Sequence, residues 1–514
     1  MATPLRILFV ASECASLAKT GGLGDVVSGL TRQLKREGHD VRIFMPLYDS
    51  IDRARHHLNF DLSLCVHMGG NKEFWCGVYQ GLLEGEVPVQ FLEYQGFFGR
   101  PGIYDFVNRE YADNPERFAF FSKACLQWCK DSGFIPDVVH VHDWPGSPVP
   151  AFLKTWDRIL SPLSATASVL TIHNIGYQGV YPGSVFPFMG LSDDCFNAEI
   201  CEDHGRMNYL KLGVHYADAI TTVSPTHAGE ILSPDGGRGL APFLNARSGD
   251  LSGILNGADY SEWSPETDRW IPATYSADDL SGKAECRRKL RERLGLTERD
   301  CPILGIVSRF VEQKGLHLAS TALDRLLPEL DFQVAVLGSG DPGMESYYGG
   351  LSSRFPGWAG CHIGFSNELS HWIQAGCDFF LVPSLYEPCG LTQIYSLRYG
   401  TPPIVRATGG LVDTVQPYDP ETDAGTGFLF TDPTAEGVED GLRRAFALWH
   451  QSPEKFRRLQ ERGMREDFSW EKPAALYLEV YQHAMENRRR LQETDGAVSK
   501  PAKLAFNPML ARLR

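Results

Sequence analysis

A lysine and a cluster of glycines stand near the amino terminus, where a short apolar run meets a helical pattern. The run is Ile7–Val10, and the cluster after it contains Lys19, Gly21, Gly22 and Asp25. Glycines let a backbone approach an anion closely, and the N–H groups and dipole at the start of a helix favour negative charge. The segment therefore predicts a phosphate site to which Lys19 adds a full charge. A tight turn with an exposed lysine would contain the same residues.

Two more cations follow an apolar run in the second half of the chain. Arg309 and Lys314 come just after the run Ile303–Val307, and ligands of parallel sheets bind at the carboxyl ends of strands. A guanidinium and an ammonium group close together can neutralise a diphosphate and stabilise it as a leaving group. The alternative is a surface ion pair between Arg309 and Glu312 beside a solvated lysine.

A third segment, Glu387–Thr392, follows the apolar run Phe379–Val382 and opens a helical pattern. Its backbone N–H groups predict a second anion site, and the Glu387 carboxylate could bind sugar hydroxyls.

Histidines end two further runs. His140 and His142 alternate before Asp143, and His173 precedes Asn174. Alternate residues of a strand point the same way, as metal ligands might, but no cysteine or further carboxylate stands at ligand spacing. We therefore interpret these residues as polar groups that line a site, and we expect no metal. A buried histidine with a purely structural hydrogen bond is the alternative for His173.

Length and composition narrow the class of protein. A chain of 514 residues exceeds what one core usually supports, so at least two domains are expected. The net charge of −15 argues against nucleic-acid and membrane partners. The twelve cysteines show no zinc-site spacing and are interpreted as free thiols. Neither a membrane span nor a signal peptide is evident, so we expect a cytoplasmic protein, or a trimmed mature chain such as one in the plastid stroma.

Short apolar runs alternate with helical patterns in both halves, which predicts two doubly wound parallel sheets. The predicted strands of the first half are Leu5–Val10, Val41–Met45, Val87–Leu92, Val138–Val141, Val169–Ile172 and Ala219–Val223. Those of the second half are Ile303–Val307, Gln333–Leu337, Phe379–Val382 and Pro403–Val405.

The predicted organisation is an α/β protein with two Rossmann-like domains, residues 1–250 and 251–468. A helix over residues 469–490 would cross back to the first domain, and residues 491–514 would form a flexible tail.

Several segments of this chain, from about Leu5 to about Tyr481, resemble the bacterial glycogen synthases and plant starch synthases. They are Lys19–Asp25, Thr171–Gly179, Asn208–Lys211, Tyr216–Asp218, Thr222–Thr226, Asn256–Asp259, Glu387–Gln393 and Thr408–Thr414. The resemblance implies a glycosyltransferase of the GT-B type, in which two Rossmann-like domains face each other across a cleft. It implies transfer of glucose from ADP-glucose to the non-reducing end of an α-1,4-glucan, such as glycogen or starch, with retention of configuration and without a metal or other cofactor.

The resemblance also implies roles for individual residues. The catalytic group would be Lys19, His173, Arg309, Lys314 and Glu387. Donor-binding residues would be Gly21, Gly22, Asp25, Asn174, Asn256, Gly364, Phe365, Cys389, Gly390, Leu391 and Thr392, with Gly364-Phe365 where the family usually has Gly-Tyr against the adenine. Tyr104, Asp143 and Trp144 would face the acceptor, although a tyrosine beside glycine and proline is also typical of a packed loop.

One difference from the family pattern concerns the donor pocket. Leu385 and Tyr386 precede Glu387 where the family usually has Arg-Phe, which removes a charge beside the pocket. Three other functions stay open on the sequence. They are a synthase that uses UDP-glucose, a glucan phosphorylase, for which no pyridoxal-phosphate lysine segment is recognisable, and a non-catalytic glucan-binding scaffold. The sequence predicts no oligomeric state.

Overall fold

The computed structural model describes residues 3–107 and 109–498, which form two α/β units on separate sheets. The strands of the first unit are β1 (Arg6–Val10), β2 (Asp40–Pro46), β3 (Asn59–Met68), β4 (Lys72–Leu83), β5 (Val87–Glu93), β6 (Asp105–Phe106), β7 (Arg109–Glu110), β8 (Val138–His142), β9 (Ala167–Ile172), β10 (Val180–Pro182), β11 (Glu202–Asp203), β12 (Arg206–Asn208), β13 (Ala219–Thr222) and β14 (Leu251–Gly253). Nine of them form the main sheet, in the order β14-β13-β9-β8-β1-β2-β5-β4-β3. The strands from β14 to β5 run parallel.

Helices cover this sheet. They are α1 (Gly22–Arg36), α2 (Gln95–Phe98), α3 (Asn114–Ser132), α4 (Asp143–Gly146), α5 (Pro148–Thr155), α6 (Phe186–Met189), α7 (Tyr209–Tyr216), α8 (Pro225–Glu230) and α9 (Ala241–Ala246). The central strands β1, β8 and β9 are almost wholly buried, as expected for a parallel sheet with both faces covered.

The second unit has a six-stranded, all-parallel sheet in the order β17-β16-β15-β18-β19-β20. Its strands are β15 (Ile303–Phe310), β16 (Gln333–Gly340), β17 (Ala359–Ile363), β18 (Phe379–Val382), β19 (Pro403–Arg406) and β20 (Phe428–Phe430). Its helices are α10 (Ser281–Leu294), α11 (Leu316–Leu326), α12 (Pro342–Arg354), α13 (Asn367–Gly376), α14 (Thr392–Arg398), α15 (Gly410–Thr414), α16 (Ala435–Gln451) and α17 (Pro453–Arg465). They are followed by α18 (Glu471–Val498).

All ten predicted strands are present, and the predicted two-sheet α/β class is confirmed. The first sheet also has an edge that the sequence does not predict, where β3 and β4 form an antiparallel hairpin. The reason is the short connection Gly69–Asn71, in which Gly70 and Asn71 both have positive φ, the conformation that tight hairpins favour.

The last helix, α18, returns to the first unit and packs on β9, β13 and α1. Trp470, just before it, lies against Gly29 of α1, where an added Cβ would stand 2.1 Å from the indole nitrogen. The helix continues to Val498, so it extends beyond the predicted end at 490. The remainder of the predicted tail, residues 499–514, lies outside the described residues.

All twelve cysteines are free thiols, as the sequence predicts. No helix within the described ranges is long and apolar enough to cross a membrane.

Candidate active site

A cleft of about 980 Å³ lies between the two units and is lined by both. Sixteen residues that the sequence nominates line it: Gly21, Gly22, Asp25, Tyr104, Asp143, Trp144, His173, Asn174, Asn256, Arg309, Lys314, Glu387, Cys389, Gly390, Leu391 and Thr392. The other three, Lys19, Gly364 and Phe365, lie outside this lining. The fold therefore brings together residues that are as far apart along the chain as Gly21 and Thr392.

The glycine loop is held by a carboxylate that the sequence analysis did not consider. Glu13 is buried, and its Oε2 accepts the backbone N–H groups of Thr20 and Gly21, at 2.6 and 3.1 Å. Its Oε1 accepts the hydroxyls of Thr20 and Tyr104, at 3.0 and 2.8 Å. Two of the loop's N–H groups are thus engaged within the protein, and the N–H groups at the start of α1 are the ones left to meet a ligand.

Lys19 does not reach into the cleft. Its Nζ donates to Asp25 Oδ1 across 2.7 Å, and Asp25 itself lines the cleft. Burial raises the pKa of the Asp25 carboxyl, while the charge of Lys19 and its hydrogen bond act in the opposite direction. The lysine therefore balances the charge of a carboxylate beside the loop.

Arg309 and Lys314 stand where the sequence predicts, at the carboxyl end of β15 and in the turn that follows it. A smaller extension of about 140 Å³ continues from the cleft and is also lined by Arg309, Lys314 and Thr392. The turn depends on Gly315, whose φ is +63° and whose added Cβ would lie 2.0 Å from the carbonyl oxygen of Pro383. Only glycine allows this close approach, which sets Lys314 beside the loop after β18.

Glu387 in that loop is buried and accepts two hydrogen bonds. Its Oε2 accepts from Lys314 Nζ at 2.6 Å and from Ser384 Oγ at 2.8 Å. The loop in turn faces the first unit, because a Cβ built on Gly22 would lie 3.9 Å from Cδ1 of Leu391. The two predicted anion sites therefore meet across a narrow gap.

The histidines form one polar cluster under the cleft. His173 lines the cleft, and its Nε2 lies 2.9 Å from Nδ1 of His142, which is fully buried on β8. Asp143 Oδ1 accepts the backbone N–H groups of His173 and Asn174, at 2.7 and 3.3 Å. Burial lowers the pKa of His173 to about 3 and raises the pKa of Asp143 to about 7.

The three residues nominated for the acceptor lie on the same wall. Tyr104 presents a ring to the cleft, but its hydroxyl is shared with Glu13 and Ser12. Trp144 packs edge-on against Phe118, with ring centroids 4.9 Å apart. Asp143 accepts hydrogen bonds from the backbone, so all three side chains are held in place by contacts within the protein.

Asn256 and Phe365 occupy contrasting positions. Asn256 is buried at the cleft wall, and its Oδ1 has no hydrogen-bond partner within the described parts of the chain. Phe365 follows Gly364, whose φ is +131°, and 86% of its surface is exposed. Its ring is open to stack on a planar group at the outer edge of the second unit.

Direct contacts link the two walls. Ser224 Oγ donates to the carbonyl of Pro388 at 2.6 Å. Thr226 donates to Asp413 through its backbone N–H and its hydroxyl, at 2.9 and 2.7 Å. The described conformation is therefore one in which the units are in contact at one end of the cleft.

Sequence reasoning missed three residues that shape this site. Besides Glu13, they are Gln313, which lies 3.4 Å from Asn174 across the cleft, and Arg238, whose guanidinium sits 4.4 Å from the ring centre of Tyr386. The signal for Glu13 was its place just after the carboxyl end of β1, the ligand-binding edge. No group of three or more potential metal-ligating side chains occurs in residues 3–107 and 109–498.

Comparison with known proteins identifies the family to which this architecture belongs. A family model described as the starch synthase catalytic domain matches residues 6–246, and one described as glycosyl transferases group 1 matches residues 287–464. Glycogen synthase 1 of Geobacter sulfurreducens is 45% identical over 490 residues, which cover 95% of this chain and 97% of that protein. Glycogen synthase 1 of Geobacter metallireducens is 43% identical over 496 residues, which cover 96% and 98%.

Among solved structures, the catalytic domain of starch synthase IV from Arabidopsis thaliana, bound to ADP and acarbose, is similar to this chain. The two structures superpose with a TM-score of 0.87 at 36% sequence identity. The match covers 94% of this chain and all of that one. The fold and the two-sided cleft define a glycosyltransferase with two facing α/β domains. The chain belongs to the family of bacterial glycogen synthases and starch synthases, as the sequence resemblance predicts.

Proposed function

We propose that this chain transfers glucose from ADP-glucose to the non-reducing end of an α-1,4-glucan with retention of configuration. The observation that carries the proposal is the position of Arg309 and Lys314 on the cleft wall opposite the glycine loop, where Lys314 is paired with Glu387. The related starch synthase IV is bound to ADP and to acarbose, which supports a nucleotide sugar and a glucan as the substrates of this chain.

In the proposed reaction, Arg309 and Lys314 neutralise the diphosphate as the bond between it and the glucose C1 breaks. The acceptor hydroxyl forms the new bond to C1 on the same face and gives its proton to a departing phosphate oxygen. A retaining mechanism with a covalent intermediate would instead need a free carboxylate nucleophile. Glu13, Asp143 and Glu387 are all engaged in hydrogen bonds, which favours the direct route. Trapping a glucosyl ester on Glu387 would overturn it.

The proposed chemistry needs no metal, because the two cations supply the charge that a divalent ion would otherwise bring. UDP-glucose is the second candidate donor. The basis for it is Leu385, which replaces the charged residue usual in the family, and Tyr386, whose ring contacts Arg238 instead. Because the twelve cysteines are unpaired, we also propose a reducing compartment such as the cytoplasm.

The test is incorporation of labelled glucose into glycogen from ADP-glucose and from UDP-glucose, each with and without a chelator. We expect transfer from ADP-glucose that the chelator leaves unchanged, and release of the label by an exo-acting α-1,4-glucosidase. Faster transfer from UDP-glucose would show that UDP-glucose, and not ADP-glucose, is the preferred donor. Loss of transfer with the chelator would contradict the metal-free mechanism, and no transfer from either donor would contradict the proposed function.

A further inference from the structure

Three histidine rings lie in a row beneath the cleft. His140 and His142 belong to β8, and His173 follows β9, the parallel neighbour of β8. The ring centroids of His140 and His142 are 4.3 Å apart, and those of His142 and His173 are 5.2 Å apart. Only His173 lines the cleft; the other two are fully buried.

A single hydrogen bond couples His142 to His173. Burial lowers the pKa of both rings, so both are neutral near pH 7, and each then has one N–H and one bare nitrogen. Nδ1 of His142 and Nε2 of His173 are 2.9 Å apart. One of these nitrogens must donate and the other must accept, so the tautomer of His142 determines that of His173.

The second ring nitrogen of His142 indicates which of the two histidines donates this hydrogen bond. Its Nε2 is buried and has no hydrogen-bond partner within the described residues. If His173 were the donor, the proton of His142 would sit on this Nε2, and a buried N–H would be left without an acceptor. Buried N–H groups without a partner are rarer in proteins than unpaired acceptors. A buried N–H that lost its acceptor would cost the full desolvation penalty of the donor. The proton of His142 is therefore expected on Nδ1.

We propose that His142 is a positioning residue that donates from Nδ1 to Nε2 of His173 and thereby fixes the His173 proton on Nδ1. This ring nitrogen is then the donor that His173 offers to an oxygen of the bound sugar. The inference deepens the proposed function and rests on it for the sugar, but the hydrogen-bond direction is a property of the free protein. With the donor fixed beforehand, no proton has to be relocated when substrate binds.

His140 provides a matched control, because it is equally buried but bonded elsewhere. Its Nδ1 lies 2.9 Å from the hydroxyl of Tyr481, and its Nε2 lies 2.6 Å from Oγ1 of Thr171. Both of its ring nitrogens are thus engaged with other partners. A change at His140 disturbs the same buried layer without removing the donor to His173.

The test is the ¹⁵N spectrum of histidine-labelled protein without substrate, with the His173 signals assigned by their loss in His173→Gln. We expect Nδ1 of His173 to be protonated in the wild type and in His140→Asn. His142→Asn should keep this state, because its amide nitrogen can replace Nδ1 as donor, whereas His142→Leu should give a mixture of tautomers. A wild-type His173 protonated on Nε2, or an unchanged spectrum in His142→Leu, would overturn the proposal.

Kinetics give the second readout. For a synthase, His142→Leu should lower kcat roughly tenfold or more with little change in KM, and His142→Asn should restore most of the loss. Equal loss in both variants would contradict a positioning role and indicate a packing role. Because the spectrum needs no substrate, it tests the tautomer even if the protein does not transfer glucose. Conversely, a wrong tautomer assignment would not change the result of the glucose-transfer assay.

Discussion

Lys314 and Glu387 form an ion pair in which Nζ and Oε2 are 2.6 Å apart, joining the turn after β15 to the loop after β18. Ser384 donates to the same oxygen at 2.8 Å. The ammonium group is therefore already held at the cleft wall, and its position depends on Gly315 and on the loop carbonyl that approaches it. Little rearrangement is needed for Lys314 to meet a diphosphate, which is the condition under which a cation stabilises a leaving group most effectively.

Arg309 is expected to contribute geometry as well as charge. Arg309→Ala should lower kcat about 10²–10³-fold, because a preorganised donor to the leaving group is lost. Arg309→Lys should lower it less but measurably, since lysine keeps the charge and loses the planar fork. Steady-state kinetics with saturating glycogen measure both values. The matched control is Arg325→Ala, a surface arginine paired with Glu436. Full activity in Arg309→Ala would contradict the role.

Glu13 is expected to hold the glycine loop. Glu13→Gln removes the charge and one of two acceptor oxygens, so we expect a loss of about 1–3 kcal/mol in the free energy of unfolding and a fall in kcat/KM. Denaturant unfolding and donor kinetics measure the two effects. The control is Glu37→Gln, at the exposed carboxyl end of α1, the helix that follows the glycine loop. It should change neither the stability nor kcat/KM. A Glu13→Gln protein with unchanged stability and kcat/KM would show that the loop forms without it.

Lys283 links stability to pH. It is buried and donates to the carbonyls of Ala375 and Tyr399 and to the hydroxyl of Thr401. Burial lowers the pKa of Lys283 to about 8, from 10.5. Between these values the unfolded chain binds a proton that the folded protein does not, so the contribution of Lys283 to stability rises with pH across this window.

The measurement is the free energy of unfolding of wild type minus that of Lys283→Met, from pH 7 to pH 10.5. We expect this difference to increase by up to about 3 kcal/mol. Lys289→Met, which removes a solvent-facing amine on the same helix, should give a flat difference. A flat or falling difference for Lys283→Met would contradict the assignment.

Much of this fold could be predicted because parallel strands carry a strong local signal. The runs that become β1, β15 and β18 are continuous and apolar since both faces are buried, and the motifs after them fall at the ligand-binding edge. The hairpin of β3 and β4 also had a signal, the alternation Phe60, Leu62, Leu64, Val66 and Met68, which indicates a half-buried strand.

Other features depend on contacts between distant parts of the chain. The sequence predicts that Lys19 binds phosphate. Its ion pair with Asp25, one helical turn into α1, depends on where the folded chain places the two side chains. The bond between His142 and His173 depends on the register of β8 beside β9, 31 residues apart along the chain. Local sequence patterns carry no information about such pairings.

The most direct test of the account is the rate of glucose transfer from ADP-glucose to glycogen by Lys314→Ala, measured beside wild type and Lys289→Ala. If Lys314 stabilises the leaving diphosphate, kcat should fall about 10²–10³-fold in Lys314→Ala alone, with the fold intact by circular dichroism. Transfer by a well-folded Lys314→Ala protein at the wild-type rate would contradict the central claim.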